Sequence, residues 1–122
     1  MNKFKILYVD DEAINLMLFK INLQKKYEVL TAENGINALE ILSVEKDISI
    51  VFSDMRMPEM NGIEFITRAK DLYPEINFYI LTGFEITSEI SKAMDNGLIY
   101  KYFQKPFNIN LISLEIENIL SG

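Results

Sequence analysis

Two residue types are missing from this 122-residue chain: cysteine and histidine. Without cysteine there is no disulfide and no thiol nucleophile. Without histidine there is no Ser-His-Asp triad and no histidine phosphocarrier. Both gaps exclude a Cys₂His₂-type zinc site. Acid–base or phosphoryl chemistry must therefore run on carboxylates, lysines, hydroxyls and bound metal. Positive charge is also scarce. Lys and Arg number 12 against 18 Asp and Glu, a net charge of −6, and an acidic surface disfavours nucleic acid as a direct partner. No apolar run approaches the ~18 residues of a membrane span. The apolar stretch before Asp10 is too short for a signal-peptide core. A cytoplasmic protein that binds neither membrane nor nucleic acid is expected.

What is present is an ordinary globular mixture, 49% apolar and 25% charged. A chain of this size buries roughly two-thirds of its unfolded surface and folds without a disulfide or structural metal. One domain over residues 1–122 is expected. Short apolar runs alternate with longer amphipathic ones. They predict strands at 5–9, 27–31, 48–52, 76–81 and 100–104, and helices at 13–25, 35–42, 61–72, 87–96 and 109–120. The spacing assigns core-facing stripes to Ile14, Met17, Leu18 and Ile21 in the first helix and to Gly62, Phe65, Ile66, Ala69 and Leu72 in the third. In the fourth it picks Ile90, Ala93 and Met94, and in the fifth Ile109, Ile112, Ile116 and Ile119. Leu111 and Leu114 fall beside that last stripe, and either widen it or form a separate surface. Asn34 reads as an N-cap, Pro74 as a stop and Gly97 as a left-handed residue after the fourth helix. Five consecutive βα units imply an α/β fold. The expected form is a five-stranded parallel sheet, order 2-1-3-4-5, with helices on both faces in a flavodoxin-like, doubly wound three-layer αβα arrangement.

In such a sheet every strand that leads into a helix ends on the same edge, and ligands bind there. The residues at those ends change from apolar to polar: Asp10-Asp11-Glu12 after strand 1, Asp54 after strand 3, Thr82 after strand 4, Lys105 after strand 5. Strands 1 and 3 are neighbours in this order, so Asp10, Asp11 and Asp54 should share one pocket. Two carboxylates ~4 Å apart repel by ~4 kcal/mol at an effective dielectric of ~20, so three of them call for a compensating cation. Lys105 supplies one charge, and a divalent ion with a taste for oxygen, Mg²⁺ or Mn²⁺, would supply the rest. Metal, lysine and a hydroxyl from Thr82 around a nucleophilic Asp54 make a phosphoryl-transfer site. Each residue alone has a plainer reading: Asp54 as a turn residue, Asp10-Asp11 and Glu12 as helix-start acids, Lys105 as a surface lysine. Their joint placement at four strand ends carries the argument.

These residues resemble the receiver domain of bacterial two-component response regulators, the CheY-like fold. The matching positions are Asp10-Asp11, the stretch Asp54-Met55-Arg56-Met57-Pro58-Glu59-Met60-Asn61-Gly62, Thr82-Gly83, and Lys105-Pro106 with Tyr102 three residues earlier. The resemblance covers essentially the whole chain. It implies that Asp54 is the phosphoacceptor and that Asp11, Asp54 and the Arg56 backbone carbonyl bind the metal directly, with Asp10 holding metal-bound water. Lys105 would bind phosphate, Thr82 and Tyr102 would form a switch pair, and the Lys105-Pro106 bond would be cis. A sensor histidine kinase or histidine phosphotransfer protein would be the donor. The output would be a change of the helix 4–strand 5–helix 5 face. That face would then meet a downstream protein, an effector domain outside this chain, or a second copy in an activation-dependent homodimer.

Such a protein is a switch that catalyses only its own phosphorylation and dephosphorylation. Two other classes compete. A phosphorylation-independent interaction module on the same fold usually lacks one of the acids or the lysine, and none is lost here. A small Mg-dependent phosphatase of the haloacid-dehalogenase type needs Asp-x-Asp, whereas these acids are adjacent.

Overall fold

Alternation along the strands decides the architecture. In β1 (Lys5–Val9), Ile6 and Tyr8 turn to one side, Leu7 and Val9 to the other, and all four are fully buried. A strand buried on both faces has to be covered twice, as in the parallel sheets of α/β proteins. The computed structural model, which describes residues 3–83 and 86–121, has that arrangement. After β1 come α1 (Ala13–Leu23), β2 (Glu28–Ala32), α2 (Gly35–Val44), β3 (Ile48–Asp54) and α3 (Gly62–Leu72). Then follow β4 (Asn77–Thr82), α4 (Ser88–Asp95), β5 (Lys101–Gln104) and α5 (Ile109–Ser121). The strands pair in parallel in the expected order, β2-β1-β3-β4-β5.

Two cores lie against the sheet. On one face α1 and α5 bring Phe19 and Ile116 onto Ile6, Tyr8, Phe52 and Tyr79. On the other, α2, α3 and α4 bring Ala38, Phe65, Ile66 and Ile90 onto Leu7, Val51, Phe78 and Ile80. Each fully buried Phe or Ile contributes ~1.5–3 kcal/mol of burial. The helix starts are tied by side chains. Asn34 Oδ1 accepts from the Asn37 N–H at 2.8 Å, and Thr87 Oγ1 from the Ile90 N–H at 3.2 Å. Asn61 and Glu64 form a reciprocal capping box at 2.9 and 3.0 Å. As expected, Gly97 has φ +76° just beyond α4.

Gly62 has a different role. Its N–H donates to the Met55 carbonyl at 2.8 Å, and a Cβ there would lie 2.3 Å from the Asp54 carbonyl oxygen. Only glycine lets α3 start so close to the end of β3.

The face of α1 differs from the sequence expectation. Leu16, Phe19 and Leu23 meet the sheet, while Ile14, Met17, Leu18 and Ile21 are 45–60% exposed. This helix carries apolar residues on two stripes, and both have helical spacing. The aromatic ring settles the choice, because Phe19 packs 4.4 Å from Tyr8 and 5.4 Å from Phe52, centroid to centroid. The helix also stops at Leu23, before residue 25. The Leu23 carbonyl accepts the N–H groups of both Lys26 and Tyr27, turning Tyr27 into the core and delaying β2 to Glu28.

Other boundaries move by one or two residues: α2 runs on to Val44, β3 to Asp54 and β4 to Thr82, and β5 starts at Lys101. Leu72 and Met94 are exposed at the ends of their helices, where Tyr73 and Ile99 fill the core instead. In α5, Ile112 and Ile116 are buried, Ile109 and Ile119 partly so, and Leu111 and Leu114 face solvent. No helix among the described residues is long and apolar enough to cross a membrane.

Candidate functional site

The carboxyl-terminal edge of the sheet gathers the polar residues that the strand ends supply. Asp10 follows β1, is completely buried, and its N–H donates to the Ala32 carbonyl at 3.1 Å. Asp54 closes β3 and is 7% exposed. Alternation places both on the α1/α5 side, Asp10 one pleat beyond Tyr8 and Asp54 one pleat beyond Phe52. Asp11 is exposed at the rim. Carboxylate oxygens of Asp10, Asp11 and Asp54 all lie within 4.8 Å of one another.

Lys105 reaches this group from beyond β5. Its N–H donates to the Thr82 carbonyl at 2.7 Å, and the Lys105-Pro106 bond is cis. Its Nζ lies 2.8 Å from Asp10 Oδ2 and 3.2 Å from Asp54 Oδ1. Asp10 has other donors as well. Its Oδ2 accepts from the Tyr8 hydroxyl at 2.5 Å and from Asn15 Nδ2 at 3.3 Å, and its Oδ1 from the Glu12 N–H at 2.9 Å.

Charge at this edge is out of balance. Of the three carboxylates gathered here, two, Asp10 and Asp54, share the Lys105 ammonium. Burial and the neighbouring Asp10 charge push the Asp54 carboxyl up to about 6, although Lys105 pulls the other way. For Lys105, burial works against the charge, but the hydrogen bond to Asp10 and the two carboxylates outweigh it and hold the ammonium above its ordinary value. Burial and Asp10 hold the Tyr8 phenol far above the usual range, so it is a permanent donor. An all-oxygen donor set with excess negative charge and one member open to water suits a hard divalent cation. The acidic group is therefore compatible with Mg²⁺.

Thr82 ends β4, fully buried, one residue past Leu81, which pairs with Asp54 across the β3–β4 ladder. Beside it, Met55, Arg56, Asn61, Thr87 and Ile90 line a groove. Arg56 lies in the loop after Asp54, which turns sharply where Glu59 has φ +69° and the Met60 N–H meets the Pro58 carbonyl at 2.7 Å. Tyr102 sits apart on β5, opposite Ile80 and half-buried against the α2–α4 core. Glu12 is exposed at the N-cap position of α1 and contributes its backbone rather than its side chain.

Sequence reasoning missed Tyr8 and Asn15. A signal for Tyr8 was present, since a tyrosine two residues before an acid shares its strand face. Reasoning also missed Glu115, buried on α5, whose Oε2 accepts from the Tyr79 hydroxyl and whose Oε1 pairs with Lys101, both at 3.0 Å. Lys101 is therefore not a free surface charge.

Comparison with known proteins bears on this edge. The sequence model described as response regulator receiver domain matches residues 6–117. A chemotaxis protein CheY homolog of Campylobacter jejuni is 30% identical over 120 residues, covering 95% of this chain and 92% of the relative. Sporulation initiation phosphotransferase F of Bacillus subtilis is 32% identical over 117 residues, covering 95% and 93%. Among solved structures, the signal receiver domain of an HD domain-containing protein from Pseudomonas fluorescens Pf-5 superposes with a TM-score of 0.91. Its sequence identity is 27%, over 98% of this chain and 96% of that one.

Proposed function

The chain belongs to the response regulator receiver family of two-component systems, and on that premise we propose that it is a phosphorylation-controlled switch with Asp54 as the acceptor. One observation carries the reading: Asp10, Asp11, Asp54 and Lys105 meet at the sheet edge with too few positive charges. A divalent ion, Mg²⁺ or Mn²⁺, held by Asp11, Asp54 and the Arg56 carbonyl with Asp10 behind it, would supply charge neutralisation on the phosphoryl oxygens.

The residues of the chain do the rest. Asp54 Oδ bonds to phosphorus while the P–N bond to a donor histidine breaks, and the imidazole leaves with the electron pair and takes up a proton. Lys105 moves onto a phosphoryl oxygen, and Thr82 donates to another. The new charge draws Thr82 inward, Tyr102 follows, and the α4–β5–α5 face changes to meet a downstream protein, an effector domain or a second copy. Exposed Tyr100, Leu111 and Leu114 give that face its apolar character. The donor is a sensor histidine kinase or histidine phosphotransfer protein. The open apolar stripe of α1, which begins at Ile14, three residues after Asp11 in the chain, supports that helix as its landing place. Cytoplasmic location follows from such a donor.

The test is incubation with a small acyl phosphate and Mg²⁺, followed by intact mass and peptide mapping. A single phosphoryl on the Asp54 peptide is expected, absent in Asp54→Asn and absent with chelator. Uptake that persists in either case would overturn the assignment.

A further inference from the structure

Tyr8 and Phe52 are register partners on neighbouring strands, β1 and β3, and both face α1 and α5. Each lies one pleat below an acid, Tyr8 below Asp10 and Phe52 below Asp54. The two positions differ by one hydroxyl. That hydroxyl is spent on Asp10 at 2.5 Å, while the acid at the end of β3 stands over a bare phenyl ring. The Tyr8 ring cannot swing away. It is fully buried, with its centroid 4.4 Å from that of Phe19 and 6.4 Å from that of Phe107, which meets it edge to face.

Besides the longer contact from Asn15 Nδ2 at 3.3 Å, Asp10 Oδ2 therefore has two short donors, one fixed, Tyr8, and one movable, Lys105 at 2.8 Å. Asp54 shares the same lysine at 3.2 Å. A lysine that serves a phosphoryl group on Asp54 has to loosen its hold on Asp10. A buried carboxylate losing its ammonium partner would be left short of donors, which is costly. With the phenol in place it keeps a strong, short hydrogen bond.

We infer that Tyr8 is a positioning residue for the reaction: its hydroxyl holds Asp10 when Lys105 leaves, and so frees the lysine for the phosphoryl group. This rests on the function proposed above. Without the hydroxyl, Asp10 leans harder on Lys105 and presents more unscreened charge to a cation. The Glu12 N–H and Asn15 still orient it.

Tyr8→Phe removes the one atom and leaves the ring. Two opposite shifts are expected. Phosphoryl uptake from a small acyl phosphate at saturating Mg²⁺ slows by about fivefold, and Mg²⁺ or Mn²⁺ binding in titration calorimetry tightens by about threefold. A hydroxyl that only supports the core would lower stability and move neither quantity in this pattern. Unchanged uptake, or metal binding that is unchanged or weaker, overturns the inference.

A third measurement is independent of phosphoryl chemistry. In metal-free urea unfolding, Lys105→Met should cost more in the Tyr8→Phe background than in the natural one, because Asp10 then loses both strong donors. Additive costs overturn the inference. If the unaltered protein takes up no phosphoryl, the proposed function falls, while this cycle still decides whether Tyr8 and Lys105 share Asp10.

Discussion

The molecule uses the same chemical trio twice. At the sheet edge, Asp10 holds the Tyr8 hydroxyl and the Lys105 ammonium. On α5, buried Glu115 holds the Tyr79 hydroxyl and the Lys101 ammonium. Tyr8, Phe52 and Tyr79 even form one row across β1, β3 and β4. The outer rings carry hydroxyls to carboxylates, and the middle one carries none. The surroundings differ. Glu115 gives one oxygen to each partner, and its single charge is matched. At the edge the lysine is shared with Asp54, and Asp11 adds a further charge from the rim. A closed trio pins a helix to a sheet, whereas an open one has charge left over for a ligand.

The strongest way to break that comparison is to remove each lysine in turn. Lys105→Met should slow phosphoryl uptake on the order of 100-fold, as loss of a transition-state donor does. Lys101→Met should leave uptake nearly unchanged but cost about 1–3 kcal/mol of stability in urea, because Glu115 is left half-partnered. Comparable kinetic losses in the two variants would erase the distinction. Next, Asp11→Ala should weaken Mg²⁺ binding by at least about tenfold, and Glu12→Ala by far less, since Glu12 offers its backbone to Asp10. Equal losses in calorimetry would mean that the cation is held by general negative charge and not by the trio of acids.

The smallest effect concerns pH. The folded Asp54 carboxyl titrates at about 6 against an ordinary value of 3.8. Between these values the folded state binds more protons than the unfolded one, so metal-free stability falls as pH rises through about 4 to 6. Asp54→Asn should flatten that slope and stabilise the metal-free protein at pH 7, by at most ~3 kcal/mol. Saturating Mg²⁺ should return stability to the unaltered protein at pH 7, since a ligand at 100 times its Kd adds about 2.7 kcal/mol. A flat metal-free profile in the unaltered protein would show that Asp54 is not strained by its neighbours.

Most of the sheet edge was legible in the sequence, because strands of four to seven residues end abruptly in polar residues and parallel order brings those ends together. Asp10, Asp11, Asp54 and Lys105 needed no more than that. Tyr8 was harder to see, since an aromatic in a buried strand is most simply core. Its role appears only when the phenol is seen to reach Asp10. Lys101 and Glu115 are 14 residues apart on different elements, and no local pattern links them.

The helices show where the division lies. Helical spacing gave the face of α3 apart from its last residue, Leu72, which is exposed, and isoleucines three and four apart gave the face of α5. In α1 the sequence offered two apolar stripes of equal periodicity, and periodicity is blind to which one has a partner. Only the sheet could choose, and it chose the stripe whose Phe19 fits between Tyr8 and Phe52. By itself, the sequence determined the succession of five βα units, the acids at the strand ends and the sign of their imbalance, because these follow from chain alternation and charge. The tertiary structure decided which α1 face stays open, which hydroxyl serves Asp10 and which lysine is shared, because those depend on distances between elements that only packing sets.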